Sequence, residues 1–143
     1  MKNVLWTAGA VCLLGIASLS LMGASASSGQ SKVERGEYLV HGVAGCADCH
    51  TPTDERGQPL AGKDFKGAPI MFRPTVPVPM WADKSPNIAG LPGWESSEAV
   101  QFLMTGIAYN GLPARPPMPQ YRMNKEDAEA VVAYLKSLAP SDK

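Results

Sequence analysis

The chain has 143 residues and a mass of 15.1 kDa, one domain's worth of sequence, and its 13 basic residues balance 13 acidic ones, so no basic field exists to draw in nucleic acid. With 7% aromatic and 18% charged residues, 14 glycines and 13 prolines, the composition excludes a coiled coil, a collagen-like repeat and a highly charged disordered chain. What remains is a small, loop-rich domain that needs a staple or a cofactor to complete its core.

In chain order, the first feature is a leader. Lys2 is the only charge before Lys32, an apolar run extends from Val4 to Met22, and Ala24-Ser25-Ala26 is a small-x-small exit. This pattern predicts a secretory signal peptide over 1–26, with an uncleaved N-terminal anchor as the alternative. Cys12 lies inside the apolar run, not at its end, which disfavours a lipid anchor there. Cleavage after Ala26 leaves a single domain, 27–143, with 12 basic and 13 acidic residues, two cysteines and no further stretch long enough to span a membrane. An exported, periplasmic location is expected.

Ser31-Lys32-Val33-Glu34 is a capping box and predicts a helix with Val33, Tyr38, Leu39 and Val40 along it, ended by Gly42 or Gly45. From Thr51 to Gly93, eight prolines and the absence of any sustained period predict loop, with Phe65, Met71, Phe72, Met80 and Trp81 as its apolar contacts to core or cofactor. A short amphipathic helix over 97–105 stops at Gly106. A second Pro-rich stretch follows over 111–120, and Asn124 then caps a last helix. Ala128, Val131, Val132, Leu135 and Leu138 form its apolar stripe, with Glu126 and Asp127 in the first turn and Lys136 in the last. No strand and no internal repeat is legible.

The chemistry lies in Cys46-Ala47-Asp48-Cys49-His50. Cys-x-x-Cys-His is the pattern of covalent c-type haem attachment: two thiols three residues apart can form thioethers with the two vinyl groups, and the adjacent imidazole can reach the iron from the proximal side. Three other readings compete. A structural disulfide gives the histidine no role. A thioredoxin-like pair needs a βαβ context that is not legible, and a zinc site lacks a second Cys or His pair, since His41 is the only other histidine. One motif implies one haem, which would also supply the missing core.

The mature chain resembles the class I c-type cytochromes, small all-α monohaem electron carriers. Val33-Glu34-Arg35-Gly36 resembles the family's N-terminal helix, whose glycine allows close packing against the C-terminal helix. Gly45 to Pro52 resembles the haem-attachment turn, Pro117-Met118-Pro119 the loop bearing the distal methionine, and Ala133 to Leu138 the end of the C-terminal helix. The wording is closest to bacterial cytochromes that accept electrons from periplasmic dehydrogenases.

The resemblance implies a small cytochrome c fold, with terminal helices packed together around one covalent haem and a long Pro-rich loop. It implies Cys46 and Cys49 as the attachment sites, His50 as proximal ligand and Met118 as distal ligand. Met71, Met80, Met104 and Met123 are the other methionines of the mature chain, Met123 being the nearest rival, and His41 is expected to be a surface or partly packed side chain. Pro86-Asn87-Ile88 resembles the segment whose proline carbonyl accepts from the proximal histidine. Trp94 and Tyr121 are candidates for the haem edge, with core packing as their alternative. The family's aromatic four residues after the helix glycine falls here on Val40, leaving Tyr38 as the nearest substitute.

The implied function is periplasmic electron transfer: an electron carrier or the cytochrome subunit of an oxidoreductase, not an enzyme in its own right. Its partners would be a dehydrogenase as donor and an oxidase or another cytochrome as acceptor. The alternative is a haem protein with an open distal site that binds a small ligand or turns over peroxide.

Overall fold

The computed structural model describes residues 30–138. The predicted leader, 1–26, lies outside them. The expected all-α architecture is present: among the described residues there are four α-helices and no strand, only isolated bridges at Thr53–Pro59, Pro69–Lys84 and Ile107–Pro113. Nor is any described helix long and apolar enough to cross a membrane.

Helix α1 (Lys32–Tyr38) starts at the predicted capping box, in which the Glu34 amide donates to Ser31 Oγ at 3.2 Å and the Ser31 amide to the Glu34 carboxylate at 2.8 Å. It runs into a π-helical segment, Leu39–Val43, that ends before Gly45. Helix α2 (Cys46–His50) follows at once. A long loop leads to α3 (Ser96–Thr105), which Gly106 stops in the left-handed conformation, and α4 (Lys125–Ser137) is capped by Asn124, whose Oδ1 accepts from the Asp127 amide at 2.7 Å.

The terminal helices α1 and α4 are the frame. A Cβ on Gly36 would lie 2.0 Å from the Ala130 carbonyl oxygen, so only glycine permits this approach. Two ion pairs flank the contact, Lys32–Glu129 at 2.7 Å and Arg35–Asp127 at 2.9 Å. Beneath them the predicted stripe of α4 is inside: Ala128, Val131, Val132 and Leu135 are buried with Leu39, Val40, Leu103 and Phe65. Val40 is wholly buried whereas Tyr38 is 53% exposed, its ring under the Arg35 guanidinium. Tyr38 therefore does not substitute for an aromatic at the helix contact; Val40 fills that position itself, together with Phe65 delivered from the loop.

Of the loop's five expected apolar contacts, Phe65 alone is a core residue. Met71, Phe72 and Met80 are exposed, with Phe72 packed edge-on to Trp81 instead of on the helical core. Phe65 adopts a left-handed φ of 59°, held by its own hydrogen bonds: its amide donates to Thr51 Oγ1 at 3.0 Å, and its carbonyl accepts from the Ile88 amide at 2.8 Å.

Candidate functional site

Gly45, with φ 61°, turns the chain so that α2 can begin at Cys46. One short helix then carries Cys46, Cys49 and His50, which are three and four positions apart and so neighbours on its surface. The cysteines are free thiols, not a disulfide. Burial pushes the Cys46 thiol up to about 11 and raises that of Cys49, with Asp48 adding to the latter. Both stay protonated at neutral pH, the opposite of the lowered thiol pKa of a thioredoxin-like nucleophile.

His50 is buried, and its Nδ1 donates to the Pro86 carbonyl at 2.8 Å. A carbonyl can only accept, so the proton is on Nδ1 and Nε2 keeps its lone pair. Burial lowers the imidazole's pKa, which favours that neutral, ligating form. The loop beneath is fitted closely to this bond. The Gly67 amide donates to the His50 carbonyl at 2.7 Å, and Ser85 Oγ donates to the Cys49 carbonyl at 2.5 Å. Gly67 has φ 84°, and a Cβ there would lie 2.8 Å from the Ser85 carbonyl oxygen and 2.9 Å from the Pro86 carbonyl carbon. Gly67 therefore lets the 65–68 and 85–88 segments lie together under α2.

Met118 lies in a strap, residues 115–121, between a turn closed by the Ile107–Pro113 bridge and α4. The strap is tied at both ends. Arg115 donates from Nε to the Met80 carbonyl and from Nη2 to the Trp81 carbonyl, both at 3.0 Å, and the Ala82 amide donates to the Pro116 carbonyl at 2.7 Å. At the other end the Tyr121 hydroxyl donates to the Ala44 carbonyl, immediately before the α2 turn. Among the methionines, Met104 and Met123 pack against the core, and Met71 and Met80 are 84% and 66% exposed. Met118 is half-buried and is not among the hydrophobics packed on the core.

Of the remaining candidates, His41 is at the surface, its Nε2 3.2 Å from the Tyr134 hydroxyl and its ring edge-on to Phe65. Trp94 packs against the rings of Phe102 and Tyr109. The buried indole N–H is instead that of Trp81, and it has no acceptor among the described residues.

This donor set fits a haem: two neutral thiols beside a buried imidazole with one nitrogen already committed, a thioether on a strap fixed at both ends, and an orphaned indole N–H suited to a carboxylate. A family model for cytochrome c matches residues 33–139, nearly all of the described chain. The chain belongs to the cytochrome c family. Haem is thus its cofactor class, and electron transfer the activity that family membership supports.

Curated relatives are alike in kind. The chain is 29% identical over 119 residues to the cytochrome c subunit of a quinone-type alcohol dehydrogenase from Gluconacetobacter polyoxogenes, covering 76% of this chain and 25% of that one. It is 28% identical over 116 residues to the cytochrome c subunit of a gluconate 2-dehydrogenase from Pantoea cypripedii, covering 76% and 26%. A dihaem c-type cytochrome of Cereibacter sphaeroides is 29% identical over 109 residues, covering 72% and 34%. The chain spans about a quarter of the length of the dehydrogenase subunits it matches.

Sequence reasoning missed three supports of this cytochrome's site. The sequence marks Trp81 only as an apolar contact, although an indole also brings a donor that needs an acceptor when buried. Gly67 and Arg115 carried no local signal, since what each touches is set by the tertiary path of the loop.

Proposed function

We propose that this domain carries one haem c, joined through thioethers to Cys46 and Cys49, with His50 and Met118 as axial ligands, and that it works in the periplasm as an electron carrier or electron-transfer subunit. It would accept electrons from a dehydrogenase and pass them to an oxidase or another cytochrome. The observation that carries this reading is the His50–Pro86 hydrogen bond at 2.8 Å, which orients the imidazole and leaves Nε2 for a metal on the very helix that bears both thiols.

The residues have distinct tasks. Cys46 and Cys49 anchor, and His50 ligates with a basicity raised by the Pro86 carbonyl. The strap presents Met118, and Trp81 offers its N–H to a haem carboxylate. When bound, the haem supplies an iron that alternates between ferric and ferrous states, and a thioether ligand shifts that couple to higher potential. A single Cys-x-x-Cys-His sequence supports one haem here. The leader pattern over 1–26 supports export, and the printed names of the relatives support a dehydrogenase as donor.

The test is the absorption spectrum of the exported protein in both redox states. Expected is the long-wavelength sulfur-to-iron charge-transfer band of a ferric haem, present in wild type and in Met123→Ala and lost in Met118→Ala. A wild type without the band, whose ferrous form binds carbon monoxide readily, would overturn the closed-carrier reading and put ligand binding in its place.

A further inference from the structure

The two ends of the strap are tied to different elements. At Arg115 the partners are the Met80 and Trp81 carbonyls, in the loop. At Tyr121 the partner is the Ala44 carbonyl, two residues before Cys46, and the Ala44 amide in turn donates to the Leu39 carbonyl at 2.7 Å, at the start of the π-helical segment. Tyr121 is thus the point at which the distal strap meets the haem-attachment turn directly. Its ring packs against the core, and burial raises its own pKa to about 12, so the hydroxyl remains a donor throughout the physiological range.

We propose that Tyr121 is a positioning residue for the distal ligand: its hydroxyl, donating to the Ala44 carbonyl, holds the strap against the attachment turn and thereby limits how readily the Met118 sulfur leaves the iron. This rests on the assignment of Met118 above. The strap holds two tethers with Met118 between them, three positions from each. Without the Tyr121 tether the next backbone tie after Met118 is the Met123 amide to the Leu103 carbonyl at 3.2 Å, so the sulfur lies on a longer unsecured stretch and can leave the iron without that hydroxyl's hydrogen bond breaking. Packing of the ring persists without the hydroxyl, so the fold is kept while the tether is lost.

The experiment compares haem-loaded wild type, Tyr121→Phe and Tyr134→Phe. Tyr134→Phe removes a hydroxyl that contacts His41, away from the strap, and reports the generic cost of losing a buried tyrosine hydroxyl. Expected for Tyr121→Phe is a charge-transfer band retained at neutral pH, with carbon monoxide binding to the ferrous protein accelerated about tenfold, the scale of one lost hydrogen bond. Tyr134→Phe should bind carbon monoxide at the wild-type rate. Equal acceleration in both variants, or none in Tyr121→Phe, overturns the inference. A wild type that lacks the band overturns the ligand assignment instead, so the two failures are distinguishable.

Discussion

The proximal and distal sides of this site are both made from Pro-rich loop, yet they are secured in different ways. Under α2 the ties are many and mixed: the Gly67 amide to the His50 carbonyl and the Ile88 amide to the Phe65 carbonyl run between backbone groups, while the His50 ring to the Pro86 carbonyl, Ser85 Oγ to the Cys49 carbonyl and the Phe65 amide to Thr51 Oγ1 each use one side chain. Over Met118 the ties at the two ends come chiefly from the side chains of Arg115 and Tyr121. Backbone ties are indifferent to most substitutions but intolerant of a change in chain path; side-chain ties can be removed one at a time. On the proposed ligation, His50 is held by several ties at once and is the positionally constant ligand, whereas Met118 lies between ties that can be removed singly and is the adjustable one.

The largest expected effect breaks the proximal side outright. Cys46→Ala with Cys49→Ala should abolish covalent haem, seen as complete loss of haem staining of the denatured chain. Next is Gly67→Val, where strained φ and a contact of 2.8 Å to backbone coincide; it should cost about 3 kcal/mol and lower the melting temperature by roughly 10 °C.

The distal side should respond in the opposite sense. Met118→Ala is expected to remove the charge-transfer band while lowering the stability of the haem-free chain by less than about 1 kcal/mol, because Met118 is not packed on the core. Met123→Ala should keep the band and cost about 2 kcal/mol.

The smallest effect concerns the frame shared by both sides. The Arg35 hydrogen bond holds the Asp127 carboxyl below its ordinary value of 3.8, so it stabilises the folded chain above that pH, and the contribution is lost as pH falls through the lower folded value. The gap in melting temperature between wild type and Asp127→Asn should be constant near neutrality and close in acid.

The helical frame and the attachment turn were legible in the sequence because their signals are local. A capping box at Ser31, Asn124 before an apolar stripe, and Cys-x-x-Cys-His each lie within a few residues of the structure they specify. The Pro86 partner of His50 was legible by resemblance to the family segment. The loop interior was not. Phe65 in a left-handed conformation and Gly67 beneath Pro86 depend on contacts between stretches some twenty residues apart, which no periodicity encodes. Reading Tyr38 as the aromatic at the helix contact failed for the same reason: the ring that fills the core arrives from position 65.

The meeting of α1 with α4 also fixes an order of events. Arg35 and Asp127 are separated by 92 positions and Lys32 and Glu129 by 97, so the helix that closes the frame is the last of the four to be synthesised. Before it arrives, Gly36 faces no partner, and Cys46 and Cys49 belong to a chain with hardly any core around them. Attachment chemistry can thus meet accessible thiols early, and the arrival of α4 then seals in what has been attached.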